Sequence, residues 1–219
     1  MSSNTVSTNA NNANSMFLVV TSNNRGLIYQ TAKAMGGTVF EETRSDDAVM
    51  KKLPCQILLK TVTDNLESLK EIADVGLYLV CERTIKTRSN RHKIHPHTRH
   101  EDSDASQILE GVIGLSPMVS NPALGHRESD SHWRDAHAPL ALKSHSAMSH
   151  YRQLSVVHCF TGPAWDGIAL CGFDTLEDLK ERFFDSDDAK RAIMKDISHM
   201  ADTKNSPRRL IVSETIFKT

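Results

Sequence analysis

The sequence carries no excess of charge and no long apolar run. Its 26 basic and 27 acidic residues leave a formal net charge of -1 with histidine neutral, whereas a nucleic-acid-binding protein presents a basic surface. No stretch approaches the roughly 18 consecutive apolar residues that a membrane-spanning helix needs. We therefore expect no nucleic-acid partner and no membrane partner. The hydrophobic content of 39% is that of an ordinary globular protein.

The cysteines and glycines form none of the signatures of common cofactors and nucleophiles. The four cysteines stand far apart inside apolar segments and include no CxxC pair, which is typical of buried free thiols in a reducing cytoplasm. No P-loop, dinucleotide fingerprint, zinc signature or nucleophile motif is present. We therefore expect a cytoplasmic protein with no metal and no cofactor. Histidines and carboxylates alone support proton abstraction, elimination, decarboxylation or isomerisation of an activated aromatic or carbonyl compound.

Two segments lack any hydrophobic period. Residues 1–15 are rich in Asn, Ser and Thr and lack the basic and apolar parts of a secretory signal, so we predict a disordered tail. Residues 89–106 form a linker with four histidines among Arg, Lys, Asp and Pro: His92, His95, His97 and His100. A solvated loop is favoured over a metal site there, because the spacing matches no standard site and no cysteine or carboxylate completes one.

Between these segments, one order of elements occurs twice. Apolar periodicity and turn residues predict β-α-β-β-α-β over residues 16–88 and again over residues 107–219. The halves also match in sequence, since residues 66–71 parallel 176–181 and residues 79–87 parallel 211–219. An internal repeat of this split β-α-β unit predicts two ferredoxin-like domains.

The repeat determines the predicted architecture. Each half would form a four-stranded antiparallel sheet with helices on one side only, which leaves the other side apolar and uncovered. Two such sheets in one chain can cover each other. We therefore predict an α+β fold in which the two sheets form a barrel with helices outside and a cavity between sheets and helices. An uncovered sheet edge or helix face would still allow a homodimer.

The densest group of functional side chains lies at residues 131–140. We predict a helix that begins at Ser129 or Ser131 and is kinked or ended by Pro139. Trp133 and His137 are four residues apart and would share one side of this helix. Trp133 would then form the floor of a pocket whose polar group is His137, a residue suited to proton transfer when partly buried. The alternative is a core tryptophan with His132 and His137 on the helix surface.

Other side chains are candidates for supporting roles. Tyr151 could hydrogen-bond a phenolate or enolate, and His158, seven residues on, would face the opposite side of a regular strand. Asp196 and His199 share one side of a helix, so Asp196 could orient an imidazole. Arg134 could bind a substrate carboxylate in a bidentate pair. Each also has an ordinary interpretation: a sheet tyrosine bonded to its neighbouring strand, and exposed charged or polar groups.

The second half resembles the EthD family of the dimeric α+β barrel superfamily over about residues 107–219. The matching residues are His132-Trp133, His137-Ala138-Pro139-Leu140, Tyr151, Asp166-Gly167-Ile168-Ala169, Phe173 to Glu177, Asp196, and Leu210 to Glu214. The first half has no counterpart of the two histidine motifs, so it would mainly supply sheet and cavity wall. The resemblance implies the fold more firmly than an activity. Some members resemble cofactor-free decarboxylases or dehydratases of aromatic and polyketide metabolism, others accompany oxygenase systems, and the wider superfamily includes haem enzymes and quinone-forming monooxygenases.

Residues and resemblance together predict a cofactor-independent lyase that decarboxylates, dehydrates or eliminates a group from a small aromatic or polyketide-like compound. The predicted catalytic residues are His137, which moves the proton, and His132, Tyr151, His158 and Asp196. The predicted substrate contacts are Trp133, Arg134, Trp165, Phe173 and His199. Two alternatives remain: a cofactor-free or haem-dependent oxygenase, and a non-catalytic protein that binds an aromatic ligand.

Overall fold

The structure, a computed structural model, describes residues 15–43, 53–88 and 106–218. The predicted tail and histidine-rich linker lie almost entirely outside these residues. The first half contains β1 (Ser15–Ser22), α1 (Arg25–Met35), β2 (Gly37–Glu42), β3 (Ile57–Thr61), α2 (Leu66–Ile72) and β4 (Gly76–Lys86). The second contains β5 (Ser106–Met118), α3 (Gly125–His132), a π-helical turn (Trp133–His137), α4 (Ala138–Ser144), β6 (Met148–Thr161), β7 (Gly167–Phe173), α5 (Leu176–Glu181), α6 (Asp187–Met200) and β8 (Leu210–Phe217).

The eight strands form one closed antiparallel barrel in the order β1-β3-β2-β8-β5-β7-β6-β4. Each half contributes a four-stranded ferredoxin-like sheet. The barrel closes where β2 pairs with β8 and β4 pairs with β6, so that Phe40 lies opposite Glu214 and Val80 opposite Val156. The predicted α+β fold of two repeats is therefore confirmed. Both edges of each sheet are paired within the chain, so the described strands leave no open sheet edge of the kind considered for a homodimer.

Local sequence explains where several helices begin. The side chains of Asn24, Asn65, Thr175 and Ser186 each accept a hydrogen bond from a backbone N–H of the first turn that follows, which is the usual role of an N-cap. The predicted start of α3 at Ser129 or Ser131 is wrong. That helix begins at Gly125, whose N–H donates to the carbonyl of Asn121, and no side chain caps it.

Apolar residues from all eight strands form the cluster inside the barrel. Its members include Val19, Phe40, Leu58, Tyr78, Val80, Ile113, Leu154, Ile168 and Val212. Alternate residues of the same strands face outward and pack against the helices in two layers. One layer includes the helix residues Ile28 and Leu69. The other includes the strand residues Tyr151 and Phe173 and the helix residue Ile193. The two repeats thus cover each other's apolar sides, as their pattern predicts.

One end of the barrel interior is charged. Lys60 pairs with Glu82, and the carboxylate of Glu214 accepts hydrogen bonds from Arg152 at 2.8 Å and Arg88 at 3.0 Å. Glu214 is only 4% exposed. Its hydrogen bonds with the two guanidinium groups therefore have to offset the free energy that the carboxylate loses when it leaves water. The ionic groups and the apolar cluster both lie inside the barrel.

None of the helices in the described ranges is long and apolar enough to cross a membrane.

Candidate functional site

The helical segment after α3 contains one widened turn. The N–H of Ala138 donates to the carbonyl of Trp133, five residues back. In an α-helix, that carbonyl would accept the N–H of His137, four residues on. In an α-helix His132 and His137 would stand about 140° apart around the axis. The π-helical turn is wider and brings positions five apart closer to the same side of the axis. Both histidines therefore face the same neighbour, α6.

Asp196 of α6 binds both histidines. Its Oδ1 lies 2.7 Å from Nε2 of His132, and its Oδ2 lies 2.7 Å from Nδ1 of His137. The side chain of His137 is 9% exposed, that of Asp196 17% and that of His132 24%. One carboxylate thus joins α6 to the π-helical turn, and the group is buried at His137 and open to solvent at His132.

The electrostatics of this group favour a neutral His137. Burial lowers the pKa of His137, although the hydrogen bond to Asp196 opposes the shift. Burial raises the pKa of Asp196, but hydrogen bonds from His132 and His137 outweigh it and leave that pKa below its ordinary value. An ionised carboxylate only accepts, so Nδ1 of His137 carries the proton and Nε2 carries the lone pair. No described residue hydrogen-bonds that Nε2.

His199 takes a different place from the predicted one. Asp196 binds the imidazoles of His132 and His137 rather than that of His199. The ring of His199 is exposed and lies edge-on to His132, with 4.7 Å between the ring centroids. Its imidazole therefore stands on the solvent side of the histidine pair.

Tyr151 and Trp133 form a separate, fully buried pair. The indole N–H of Trp133 donates to the Tyr151 hydroxyl at 3.0 Å, and Gln153 donates to the same hydroxyl at 3.0 Å. Burial raises the pKa of Tyr151, so the phenol stays neutral. Trp133 and His137 make no ring contact with each other in the described part of the chain. The indole is instead packed on β7, where a Cβ at Gly167 would come within 2.5 Å of it.

His158 and Tyr151 would face opposite sides only of a regular strand, and β6 is not regular between them. The pairing of β4 with β6 shifts register between Leu79 opposite His158 and Val80 opposite Val156. The extra residue forms a bulge, which reverses the alternation beyond it. His158 therefore points to the outer side of the sheet, as Tyr151 does, but it is exposed and lies against Phe160 with 4.6 Å between the ring centroids.

Three other predicted contacts lie away from Asp196. Arg134 is half exposed and pairs with its neighbour Asp135. Trp165 stacks on Tyr78 in the cluster inside the barrel, with ring centroids 5.4 Å apart, and thus lies on the other side of the sheet from the helices. Phe173 packs in the layer beneath the helices of the second repeat. Of the predicted site residues, His132, His137 and Asp196 form one group with His199 at its edge, and Trp133 and Tyr151 form a second, separate pair. The roles of all these residues stay predictions.

Gln153 and Arg83 are site neighbours that the sequence analysis missed. They lie opposite each other on β6 and β4. Arg83 pairs with Asp130 of α3 and lies over the Trp133 ring, 5.5 Å from its centroid. The sequence offered little signal for either residue beyond a long polar side chain inside a predicted strand.

Two of the four thiols, those of Cys55 and Cys171, are poor nucleophiles. All four cysteines are free. Burial raises the pKa of Cys55 to about 12 and that of Cys171 to about 12, so neither forms a thiolate near neutral pH. Among the described residues no three His, Cys, Asp or Glu side chains are grouped to hold a metal ion.

A polar cavity of about 350 Å³ lies at the end of β4 and the start of β6. It is lined by Lys86, Thr87, residues 146–149, Asp174, Asp178 and Arg182. Neither the two histidines nor Asp196 contribute to it.

Comparisons with known proteins leave the family open. No family model matches the sequence, and no curated protein matches it, so the EthD resemblance stays a prediction. One similar solved structure is described as a "crystal structure study of anthrone oxidase-like protein". It is 12% identical, with 93% of this chain and 90% of that chain covered and a TM-score of 0.48. A likeness this distant carries no argument about activity.

Proposed function

We propose that this chain is an enzyme that removes a proton from a small aromatic or carbonyl compound, with Nε2 of His137 as the base. The observation that supports this proposal is the double contact of Asp196, whose two oxygens lie 2.7 Å from His132 and 2.7 Å from His137. A carboxylate on Nδ1 fixes the tautomer and leaves Nε2 to accept a proton.

Each member of the group has a distinct part in this chemistry. His137 begins neutral, takes the proton and becomes an imidazolium that the Asp196 carboxylate stabilises. His132 binds the other oxygen of that carboxylate and so keeps it oriented. A positioned base of this kind contributes on the order of 10²–10⁴ in rate.

The proton transfer is common to more than one overall reaction. Elimination and dehydration begin with removal of a proton, whereas decarboxylation ends when the carbanion left by CO₂ takes up a proton, which His137 can donate in its imidazolium form; we propose this lyase chemistry as the main reaction. A cofactor-free oxygenase would begin with the same abstraction and then let the carbanion react with oxygen. The two classes differ in oxygen consumption, which makes them separable by experiment.

Solvent exchange tests the proposal without requiring that the product be identified. The protein is incubated in D₂O with a panel of phenols and β-keto acids, while NMR follows deuterium uptake and an oxygen electrode follows oxygen. We expect exchange with at least one compound and a loss of at least about 10²-fold in His137→Asn. His126→Asn, which removes an exposed imidazole that pairs with Asp166 and not with Asp196, is the matched control and should keep the wild-type rate.

The outcomes separate the candidates. Exchange without oxygen uptake supports the lyase, and exchange with oxygen uptake supports the oxygenase. Exchange that survives in His137→Asn contradicts the proposed base. Saturable binding with no exchange in any mixture would instead support a non-catalytic ligand-binding protein.

A further inference from the structure

We propose that Gln153 is a positioning residue for His137, because its amide holds the π-helical turn in the register that sets His137 on Asp196. Nothing in the sequence motifs singles this residue out. The structural part of the inference stands on hydrogen bonds alone, and its consequence for catalysis rests on the proposed function.

Gln153 reaches from the sheet into the helical backbone. It lies on β6 with no exposed surface, and its Nε2 donates to the carbonyl of Trp133 at 3.0 Å and to the Tyr151 hydroxyl at 3.0 Å. The carbonyl only accepts, so the atom that faces it must be the amide nitrogen. The orientation of this side chain is thereby fixed by its partner.

The Trp133 carbonyl is the group that decides the register of the turn. In an α-helix it would accept the N–H of His137. Here it accepts the N–H of Ala138 and the amide of Gln153. A carbonyl has two lone pairs, so both of its acceptor positions are filled and none is left for His137. Gln153 therefore favours the π register over the α register.

The register in turn decides whether one carboxylate reaches both histidines. In the α register His132 and His137 would diverge by about 140°, and Asp196 could not bind both. Pro139 also weakens the regular helix, because it has no N–H to donate to the carbonyl four residues before it. The sheet, through Gln153, and the proline both act against the α form.

Two side chains of β6 hydrogen-bond to Trp133. Tyr151 and Gln153 are successive outward positions of β6; the first binds the indole N–H and the second binds the backbone carbonyl. The Oε1 of Gln153 is buried and has no hydrogen-bond partner in the described residues. A buried glutamine with an unpaired oxygen lowers stability compared with an apolar side chain of the same size. This cost is consistent with a specific role of the amide nitrogen, which donates to the Trp133 carbonyl.

Replacing Gln153 by Met tests the inference, since methionine has similar length and no donor. Ring-nitrogen NMR of histidine-labelled protein reports the tautomer of His137, and amide exchange reports the Ala138 N–H. We expect Gln153→Met to show a mixture of His137 tautomers and at least about tenfold faster exchange at Ala138. The control is Ser155→Ala. Ser155 is the next outward position of β6, and its hydroxyl makes no hydrogen bond in the described part of the chain.

The second readout is kinetic and depends on the proposed function. A base displaced by about 1 Å loses on the order of 10² in rate, so deuterium exchange should fall by that factor in kcat with KM little changed. If circular dichroism shows that Gln153→Met does not fold, Gln153→Asn is used, which withdraws the amide by one methylene and leaves space rather than overfilling it.

Two kinds of failure are distinguishable. Gln153 variants that keep the wild-type tautomer and the slow exchange of Ala138 overturn the positioning role and leave the role of His137 untouched. A wild-type protein whose His137 carries its proton on Nε2 overturns the proposed base instead, whatever the Gln153 variants show.

Discussion

The two hydrogen bonds of Asp196 should contribute unequally to stability. A hydrogen bond to a charged group is worth about 1.5–3 kcal/mol when it is shielded from water, and His137 is 9% exposed beside a carboxylate that is 17% exposed. The bond to His132, whose side chain is 24% exposed, resembles a surface pair and should contribute about 0.2–1 kcal/mol. We expect the His137 coupling to be at least twice the His132 coupling.

Double-mutant cycles measure these couplings directly. Asp196→Ala, His137→Ala and His132→Ala are made singly, and each histidine variant is combined with the aspartate variant. Free energies of unfolding come from urea titrations at pH 7.5, where Asp196 is ionised, and each cycle subtracts the cavity that truncation leaves. The cycle is valid where the m value stays constant across the series.

A coupling near zero between His137 and Asp196, or one no larger than that of His132, would disprove this ranking. A coupling near zero would also mean that the buried imidazole is not held by this carboxylate, and the support for an oriented base would be lost.

Three further predictions concern acid stability, glycine packing and the charge inside the barrel. The pKa of His137 is lowered in the folded state. Its contribution to stability is therefore fully present above the ordinary histidine pKa and is lost as pH falls through the folded pKa. His137→Asn should flatten this part of a curve of unfolding free energy against pH. Gly172→Ala should lower the free energy of unfolding by about 1–3 kcal/mol, since its Cβ would lie 1.8 Å from the His150 ring. The control is Gly26→Ala, whose Cβ meets only Asn24 at 3.8 Å. Thermal denaturation should show no loss of stability in this control. Glu214→Gln leaves Arg88 and Arg152 without a buried countercharge and should cost about 3–5 kcal/mol in urea titration; stability close to wild type would contradict the ion-pair account.

The fold follows from the sequence because its causes are local or repeated. The β-α-β-β-α-β order is marked by hydrophobic periods and turn residues, and its repetition leaves two apolar sheet sides that must cover each other. Helix starts such as those at Asn24 and Thr175 depend on side chains within three residues. Each of these signals can be recognised in the local sequence or in its repetition.

The site follows only in part, because its geometry depends on contacts between distant residues. His132, His137 and Asp196 each stand out in the sequence, but the carboxylate lies 64 and 59 positions from its two partners. The π-helical turn is set partly by Gln153, 20 residues beyond Trp133, and no helical period predicts it. The bulge before His158 likewise arises from pairing with β4 and reversed the predicted side of that histidine.

The proposed chemistry requires that Asp196 hold a neutral His137 with its lone pair on Nε2. Nitrogen-detected NMR of the imidazole at pH 7 observes this state directly. We predict a proton on Nδ1, an unprotonated Nε2, and titration below the usual range of an exposed histidine, with the tautomer preference lost in Asp196→Ala. A proton resident on Nε2, or an imidazolium at pH 7, would contradict the proposal.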